Sequence, residues 1–525
     1  MPIKALPTEV IPGGGFKPIP LTYSPVLPMG RGGMNTRQPA TELPPEQATN
    51  IQNALVEIDG LQIAWGYTEM GSAIGDTDTV VRAINQFRQL DLTTELVRVT
   101  NDHAYVWAGA SWAKTSLAAD AAMTGTDVVV GTATVQDVFL IAKNGESALV
   151  QYTGTTGTGG LAEIAGSPAA RFVIGFADRA VAAYTTANPQ LVQWSVSGDV
   201  TTWTGAGSGS ASLVEDPTAA MDEITGLTVQ RDNLMIYRRN SIWVGKRTGQ
   251  ASPAIGFTSQ VQGIGNMAPM SLRNVGSTGD IFLGPDDVYL YHPGNREPIR
   301  IGTPIQKEIF DNLNRAALNN VHACYIRDEQ KYVLWVPVSS ETYPTRGWEF
   351  DVRRYRTSQQ LVWRRRDANG NGDSISASFG GRTGGLTDVD SVHKMVLGTE
   401  LGETFDSDAS DTTDDGGTIT LTYESPEFTT GDQWIQVARL LLWYTSTSAG
   451  TVTVAPSIDG GVTYGTAQTV TLPPSTGVRP YGVFLRGGTG RTVKVRVRST
   501  DTDRPVFRSY QLGVYERGQF RGAFL

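Results

Sequence analysis

The feature that most narrows the fold is a phrase recurring through the middle of the chain: an apolar run, a short polar turn, and a second apolar run carrying aromatics. It reads LVRVTNDHAYVWAG around Asn101-Asp102, VFLIAKNGESALVQY around Asn144-Gly145, FVIGFADRAVAAY around Asp178-Arg179 and LMIYRRNSIWVGK around Arg239-Asn240. It continues as IFLGPDDVYLYHP around Asp286-Asp287, CYIRDEQKYVLWVP around Asp328-Glu329 and KMVLGTELGETFD around Leu401-Gly402. Each copy predicts a β-hairpin, because Asn, Asp and Gly supply turn backbone at low steric cost between runs of strand length. The turns recur with a drifting period centred near the ~40–50 residues of a four-stranded propeller blade, which a sandwich would not produce. The expectation is therefore an all-β chain whose body, residues 46–410, is a β-propeller of six or seven blades, with loop insertions at 188–222 and 341–392.

The flanks differ. Residues 1–45 hold ten of the 27 prolines, which fix extended backbone and remove ladder donors, so they read as an N-terminal arm. Phe16, Ile19, Leu21, Tyr23, Val26 and Leu27 would anchor such an arm as a strap on a neighbouring subunit; the alternative is a solvated tail. After Pro44-Pro45, the spacing of Ala48, Ile51, Leu55 and Ile58 predicts a helix, as does Thr303-Pro304 ahead of Ile305, Ile309, Leu313 and Ala317. An acidic linker at 406–417 precedes longer alternating strands over 418–525, which predict a β-sandwich-like C-terminal domain.

Composition excludes several classes. One cysteine, Cys324, rules out a disulfide framework and a thiolate zinc site, and fits a reducing compartment. The start of the chain lacks a signal-peptide pattern and no run approaches the ~20 apolar residues of a membrane span, so a soluble chain is expected. A formal charge of −9 argues against a coat held by neutralising phosphates.

Candidate chemistry is sparse. DANGNGD (Asp367, Asn369, Asn371, Asp373) copies the first half of a calcium loop, but the twelfth residue from Asp367 is Ser378, so the closing acid is missing. It reads either as a structural calcium site or as an Asn/Gly-rich surface turn. SIDGGVTY (Ser457, Asp459, Gly461, Thr463, Tyr464) has Asp-box spacing and reads as a structural turn. The four histidines, His103, His292, His322 and His393, lie apart without metal-ligand spacing. The glycine clusters at 154–160 and 380–385 lack the strand-to-helix setting of a phosphate loop. Arg353, Arg354, Arg356, Arg364, Arg365 and Arg366, interleaved with Trp348, Tyr355 and Trp363, form a basic patch suited to a nucleic-acid backbone, to a solvated strand pair or to an acidic subunit interface. Asp286 and Asp287 resemble an acid pair in isolation. Their place is taken by Asn-Gly, Asp-Arg or Arg-Asn in other copies of the phrase, an exchange that a turn tolerates and catalysis does not.

Several stretches together resemble a known family. GGMNTRQPATELPPEQATNIQNALVEIDGLQIAWGY (32–67), ARFVIGFADRAVAAY, LVQWSVSGDVTTW, EITGLTVQRDNLMIYRRNSIWVG and GIGNMAPMSLRNVGSTGDIFLGPDDVYLYHPG are similar, in that order, to the tail nozzle or hub proteins of short-tailed bacteriophages. ESPEFTTGDQWIQVARLLLWY resembles the C-terminal sandwich of phage structural proteins. The resemblance implies a non-enzymatic virion protein of the tail, assembled in the host cytoplasm. It would form a homo-oligomeric ring, usually a hexamer, below the portal and adaptor. Tail fibres or a plug would bind its outer surfaces, and DNA would pass through without sequence-specific binding, a passage that acidic walls would suit. It implies no catalytic residue and no cofactor. The competing expectation is a propeller glycosidase or lectin acting on host-surface glycans, motivated by the Asp-box, the eleven tryptophans and the DANGNGD loop.

Overall fold

The computed structural model describes residues 8–11, 15–18, 20–57, 59–125, 129–214, 221–250, 252–368, 374–382, 393–408, 411–429, 431 and 433–519, the backbone alone at 8–11, 15–18, 408 and 517–519. They divide into two compact units. One spans Gly66–Gln359 and Asp367–Gly417; the other combines Met1–Trp65, Gln360–Arg366 and Thr418–Leu525.

The first unit is a β-propeller. Blade 1 contains Ala83–Arg88, Thr94–Val99, Ala104–Trp107 and Trp112–Ser116, and blade 2 Val130–Val135, Val138–Lys143, Val150–Tyr152 and Leu161–Glu163. Blade 3 contains Phe172–Phe176, Arg179–Ala183, Leu191–Trp194 and Gly209–Ser212, and blade 4 Ile224–Gln230, Asn233–Arg238, Ser241–Arg247 and Ile255–Gln262. Blade 5 contains Arg273–Asn274, Asp280–Leu283, Val288–Tyr291 and Ile299–Arg300, and blade 6 within this unit His322–Ile326, Lys331–Trp335 and Arg346–Asp351. These six follow chain order. A seventh sheet, Ile375–Arg382, His393–Thr399 and Thr404–Asp408, takes Gly66–Glu69 from ahead of blade 1 and closes the ring.

All seven copies of the sequence phrase are hairpins, but in two different phases. In blades 1, 2, 4, 5 and the seventh sheet the phrase joins the second and third strands; in blades 3 and 6 it joins the first and second. That shift of one strand explains the drifting period, with short intervals into blades 3 and 6 and long intervals out of them. The turn chemistry is visible at Asn144-Gly145, where both residues have positive φ and the Glu146 amide donates to the Lys143 carbonyl at 3.1 Å. This is the turn geometry that Asn-Gly favours between twisted strands.

Apolar cores lie between successive blades. Between blades 1 and 2, Phe87 meets Phe139 and Tyr152 edge-on, with ring centroids 6.0 and 5.5 Å apart. Each of these rings is fully buried, which stabilises the interface by about 1.5–3 kcal/mol per side chain relative to exposure. Polar links supplement the packing. The buried Asp280 carboxylate of blade 5 accepts from the Thr228 hydroxyl at 2.5 Å and the Tyr237 hydroxyl at 2.9 Å, both of blade 4, and from Asn274 at 2.7 Å. Ring closure carries a buried cation. Arg98 of blade 1, 1% exposed, donates to the Gly402 carbonyl at 3.1 Å, the Thr404 hydroxyl at 2.9 Å and the Ser72 carbonyl at 3.3 Å, and lies over the Trp112 ring at 4.3 Å.

The second unit is a β-sandwich. In one sheet Gln433–Ser446 pairs with Ser475–Phe484 on one side and Val506–Gln519 on the other, which continues to Gly60–Ile63 and Ala54–Glu57. The other sheet runs from Trp363–Asp367 through Asn50–Gln52, Leu421–Glu424, Thr492–Ser499 and Gly450–Ser457 to Gln468–Leu472. Tyr423 and Tyr510, buried one from each sheet, pack with ring centroids 6.0 Å apart.

Five expectations are corrected. The helix after Pro44-Pro45 is instead two strands, Asn50–Gln52 and Ala54–Glu57, separated by Asn53 at φ 51. The left-handed residue shifts the side-chain alternation, so Ile51 and Leu55 both become buried, and Asn50–Gln52 pairs with Leu421–Glu424 rather than with its own turn. These residues belong to the sandwich unit, so the propeller opens at Gly66 rather than at 46. The arm is not separate either: Leu21–Tyr23 and Leu27–Pro28 pair with Val506–Gln519 of the same chain, and Thr8–Ile11 with Gly15–Pro18. The acidic linker is partly structural, since Asp406 sits within the strand Thr404–Asp408 and Asp414 is buried. The helix after Thr303 is present but short, a turn over Thr303–Ile305 and an α-helix over Gln306–Phe310 that stops before Leu313. Among the described residues no helix is long and apolar enough to cross a membrane.

Candidate functional site

The chemically suggestive residues are mostly bonded to the fold itself. Asp286 accepts from the Tyr289 hydroxyl at 2.5 Å and from Arg300 at 2.6 Å. Asp287, fully buried, accepts from the Val288 amide at 2.7 Å and the Thr303 hydroxyl at 3.1 Å, and burial raises its pKa. The amide of Gly284 closes the same turn on the Asp287 carbonyl at 2.9 Å. The two aspartates therefore shape a hairpin and tether the segment after it.

In the sandwich unit, Asp459 accepts from the Thr463 amide at 2.9 Å, the Thr463 hydroxyl at 2.5 Å and the Ser457 hydroxyl at 2.7 Å, while the Ser457 hydroxyl accepts from the Gly461 amide at 2.9 Å. These bonds hold the Asp459 carboxyl down at about 2. Tyr464 lies under Arg496 at 3.9 Å, as the aromatic of an Asp-box turn should pack.

The basic patch divides. Arg364 and Arg366, 5% and 6% exposed, donate to the carbonyls of Ala54 and Trp65, and Arg365 to the Gln52 side chain. Arg354 follows Asp351, which caps the helix Val352–Ser358 by accepting from the Arg354 amide at 2.9 Å. Trp348, Trp363 and Tyr355 are buried, so they offer no stacking platform for bases. Arg353 and Arg356 alone are exposed.

His322 is buried between the Ser378 hydroxyl at 2.8 Å and the Ile375 carbonyl at 3.0 Å, and burial lowers its pKa to about 3. His393 contacts Asp328 at 2.9 Å, His103 lies 3.8 Å from Asp120, and His292 accepts from the Gly294 amide at 3.1 Å. Among the described residues no three His, Cys, Asp or Glu are placed to hold a metal ion. Of the calcium-loop candidates Asp367 ends a strand, and Asn369, Asn371 and Asp373 lie outside the described residues. Gly380 belongs to blade packing: a Cβ there would lie 2.1 Å from the Tyr325 carbonyl oxygen.

The first strands of the propeller enclose a cavity of about 700 Å³. Five arginines line it: Arg82, Arg88, Arg273, Arg327 and Arg382, with His322 and His393; among the described residues no Asp or Glu lines it. The neutral wall includes Asn85, Gln86, Asn274, Asn319 and Asn320. Arg273 donates to its neighbouring Leu272 carbonyl at 2.7 Å; burial lowers its pKa, and the groups acting on it are Cys324 and Tyr332 rather than a carboxylate. Parallel alignment of the first strands, fixed by the approach of Gly380 to Tyr325, places Arg327 and Arg382 at one level. Gln86 donates to the Arg382 carbonyl at 3.4 Å, which brings Arg88 to the same end. Asp328 stands at this rim, held by His393, with its pKa lowered further by Arg382.

Sequence reasoning missed these arginines because they are far apart in the chain. The available signal was positional: each falls within or beside the first strand of its blade, a coincidence visible only once the phase of every hairpin is known.

No protein-family model matches the chain, and no curated protein matches it in sequence. Among solved structures it is similar to the extracellular domain of a putative hybrid two component system from B. thetaiotaomicron, at 9% identity and a TM-score of 0.41, covering 74% of this chain and 47% of that one. It is also similar to PorZ, a surface component of the type-IX secretion system of Porphyromonas gingivalis, at 10% identity and a TM-score of 0.35, covering 68% and 42%. An exo-beta-1,3-galactanase from Phanerochaete chrysosporium matches at 12% identity and a TM-score of 0.27, covering 86% and 100%. The chain spans about half the length of the first two. These likenesses carry no argument about activity or partner.

Proposed function

We propose that this chain is a structural protein of a short-tailed bacteriophage tail, assembling as a hexameric nozzle or hub below the portal and adaptor. Genome would pass along the axis of the ring, and fibres or a plug would hold its outer face. The observation that favours a structural role is the use of the chemically suggestive side chains: Asp286, Asp287, Asp459, Arg364 and Arg366 are each bonded to neighbouring backbone or side chains of the fold. What remains exposed suits contact rather than catalysis. In the sandwich unit, the strand Ser475–Phe484 lies at a sheet edge and exposes Val478 and Phe484, the latter 72% exposed. An unpaired edge of that length is a surface that proteins cover or pair. The direct test is to co-express the chain with a portal and adaptor pair and image the purified product. A sixfold ring bound to the portal supports the proposal, and a monomer that cleaves polysaccharide overturns it.

A further inference from the structure

We propose that the axial cavity of the propeller is a binding site for a small multivalent oxyanion, a ligand carrying two or more phosphate or carboxylate groups. This inference stands apart from the assembly role, because the cavity lies wholly within the propeller unit.

Three observations carry it. The first is charge: among the described residues, five guanidinium groups and no carboxylate line one cavity of a chain whose formal charge is −9, and Asp328 stands at its rim. Walls of low dielectric focus the field of such a cluster into the cavity and concentrate anions there. The second is the state of Arg273, a cavity-lining cation that donates to its own neighbour's carbonyl. A guanidinium presents five donors in a planar fork suited to bidentate contact with carboxylate or phosphate, so most of its donor capacity is available to a ligand. The third is dimension: about 700 Å³ falls within the range of small-ligand pockets, which is roughly 300–1,000 Å³.

The arrangement favours more than one anionic group. Arg88, Arg327 and Arg382 gather at one end of the cavity, while the parallel bridge of Met270 with His322 sets Arg273 further back, near the level of Tyr325. A monovalent anion would engage one of these positions, and a ligand with separated anionic groups would bridge them.

The test is calorimetric titration of the full chain with sodium tripolyphosphate and, separately, with citrate, at low ionic strength. Saturable binding at one site per chain is expected, weakening steeply as salt is raised, as charge-driven association does. Arg273→Met should weaken it by about tenfold or more, the loss expected for a charge-assisted contact of ~1.4 kcal/mol. Arg327→Gln, an exposed substitution that spares the core, should weaken it by about threefold or more, and decides the matter if Arg273→Met fails to fold. Binding of tripolyphosphate alone assigns a phosphate ligand, citrate alone a polycarboxylate, and both a general oxyanion site. Absence of saturable binding by either probe would overturn the proposal, as would unchanged affinity in variants that melt like the parent. Binding of a short oligonucleotide in place of both small probes would overturn it as well.

Discussion

Replacing Arg98 by Met should open the propeller at its closure. The side chain is 1% exposed, and burial lowers its pKa to about 10, so holding the charge inside costs about 3 kcal/mol. That cost is offset by hydrogen bonds to Gly402, Thr404 and Ser72 and by the Trp112 ring. Charge-assisted bonds contribute roughly 1.5–3 kcal/mol each, and a desolvated cation–π contact about 2. Met fills much of the volume and removes the buried charge, but it leaves three oxygen acceptors without their donor. The expected net loss is about 3–5 kcal/mol, the usual range for breaking a buried polar network from one side. Denaturant unfolding followed by tryptophan fluorescence measures the total. Hydrogen exchange locates it: amides of Thr404–Asp408 and Gly66–Glu69 should exchange faster, while those of blades 3 and 4 hold their protection. A loss below about 1 kcal/mol, or uniform loosening of all blades, would refute the assignment of Arg98 as the closing latch.

The remaining expectations concern three other sites. Asp459 has a lowered pKa, so its stabilisation is present above the unfolded carboxylate value and is lost as pH falls from about 4 toward 2; the stability gap between the parent and Asp459→Asn should close over that window. Asp280 has a raised pKa because it is buried, so the unfolded chain ionises first; relative to Asp280→Asn, the parent should lose stability as pH rises above about 4, in equilibrium unfolding at matched ionic strength. Deleting residues 1–30 removes the strands Leu21–Tyr23 and Leu27–Pro28 from Val506–Gln519, so proteolysis should attack the sandwich unit sooner while propeller fragments persist. If ring assembly is measured on the same truncation, it should also weaken; normal assembly would count against the arm as a strap.

How far the sequence carried the fold depended on the range of the interactions. Hairpins were legible because each is local: apolar runs and a turn such as Asn144-Gly145 suffice to specify one. The sandwich was legible from strand length, and its C-terminal part begins at Thr418, where the pattern changes. Closure was not legible, since the pairing of Gly66–Glu69 with Thr404–Asp408 joins segments more than three hundred residues apart and leaves no local mark. The misread helix at 46–58 shows a different limit. Ala48, Ile51 and Leu55 have helical spacing, but one left-handed residue at Asn53 lets two strands bury the same positions. At the candidate site, the contiguous arginines at 353–366 drew attention by proximity in the chain and proved largely structural. The cavity arginines, separated by blades, share only their position on first strands.

The measurement that bears most directly on the proposed role is electron microscopy of the chain co-purified with a portal and adaptor ring, because it reads stoichiometry, channel and neighbours together. The structural proposal predicts six copies around an open axis, docked coaxially beneath the portal. A monomer that neither docks nor assembles, and that degrades a surface polysaccharide, would contradict it.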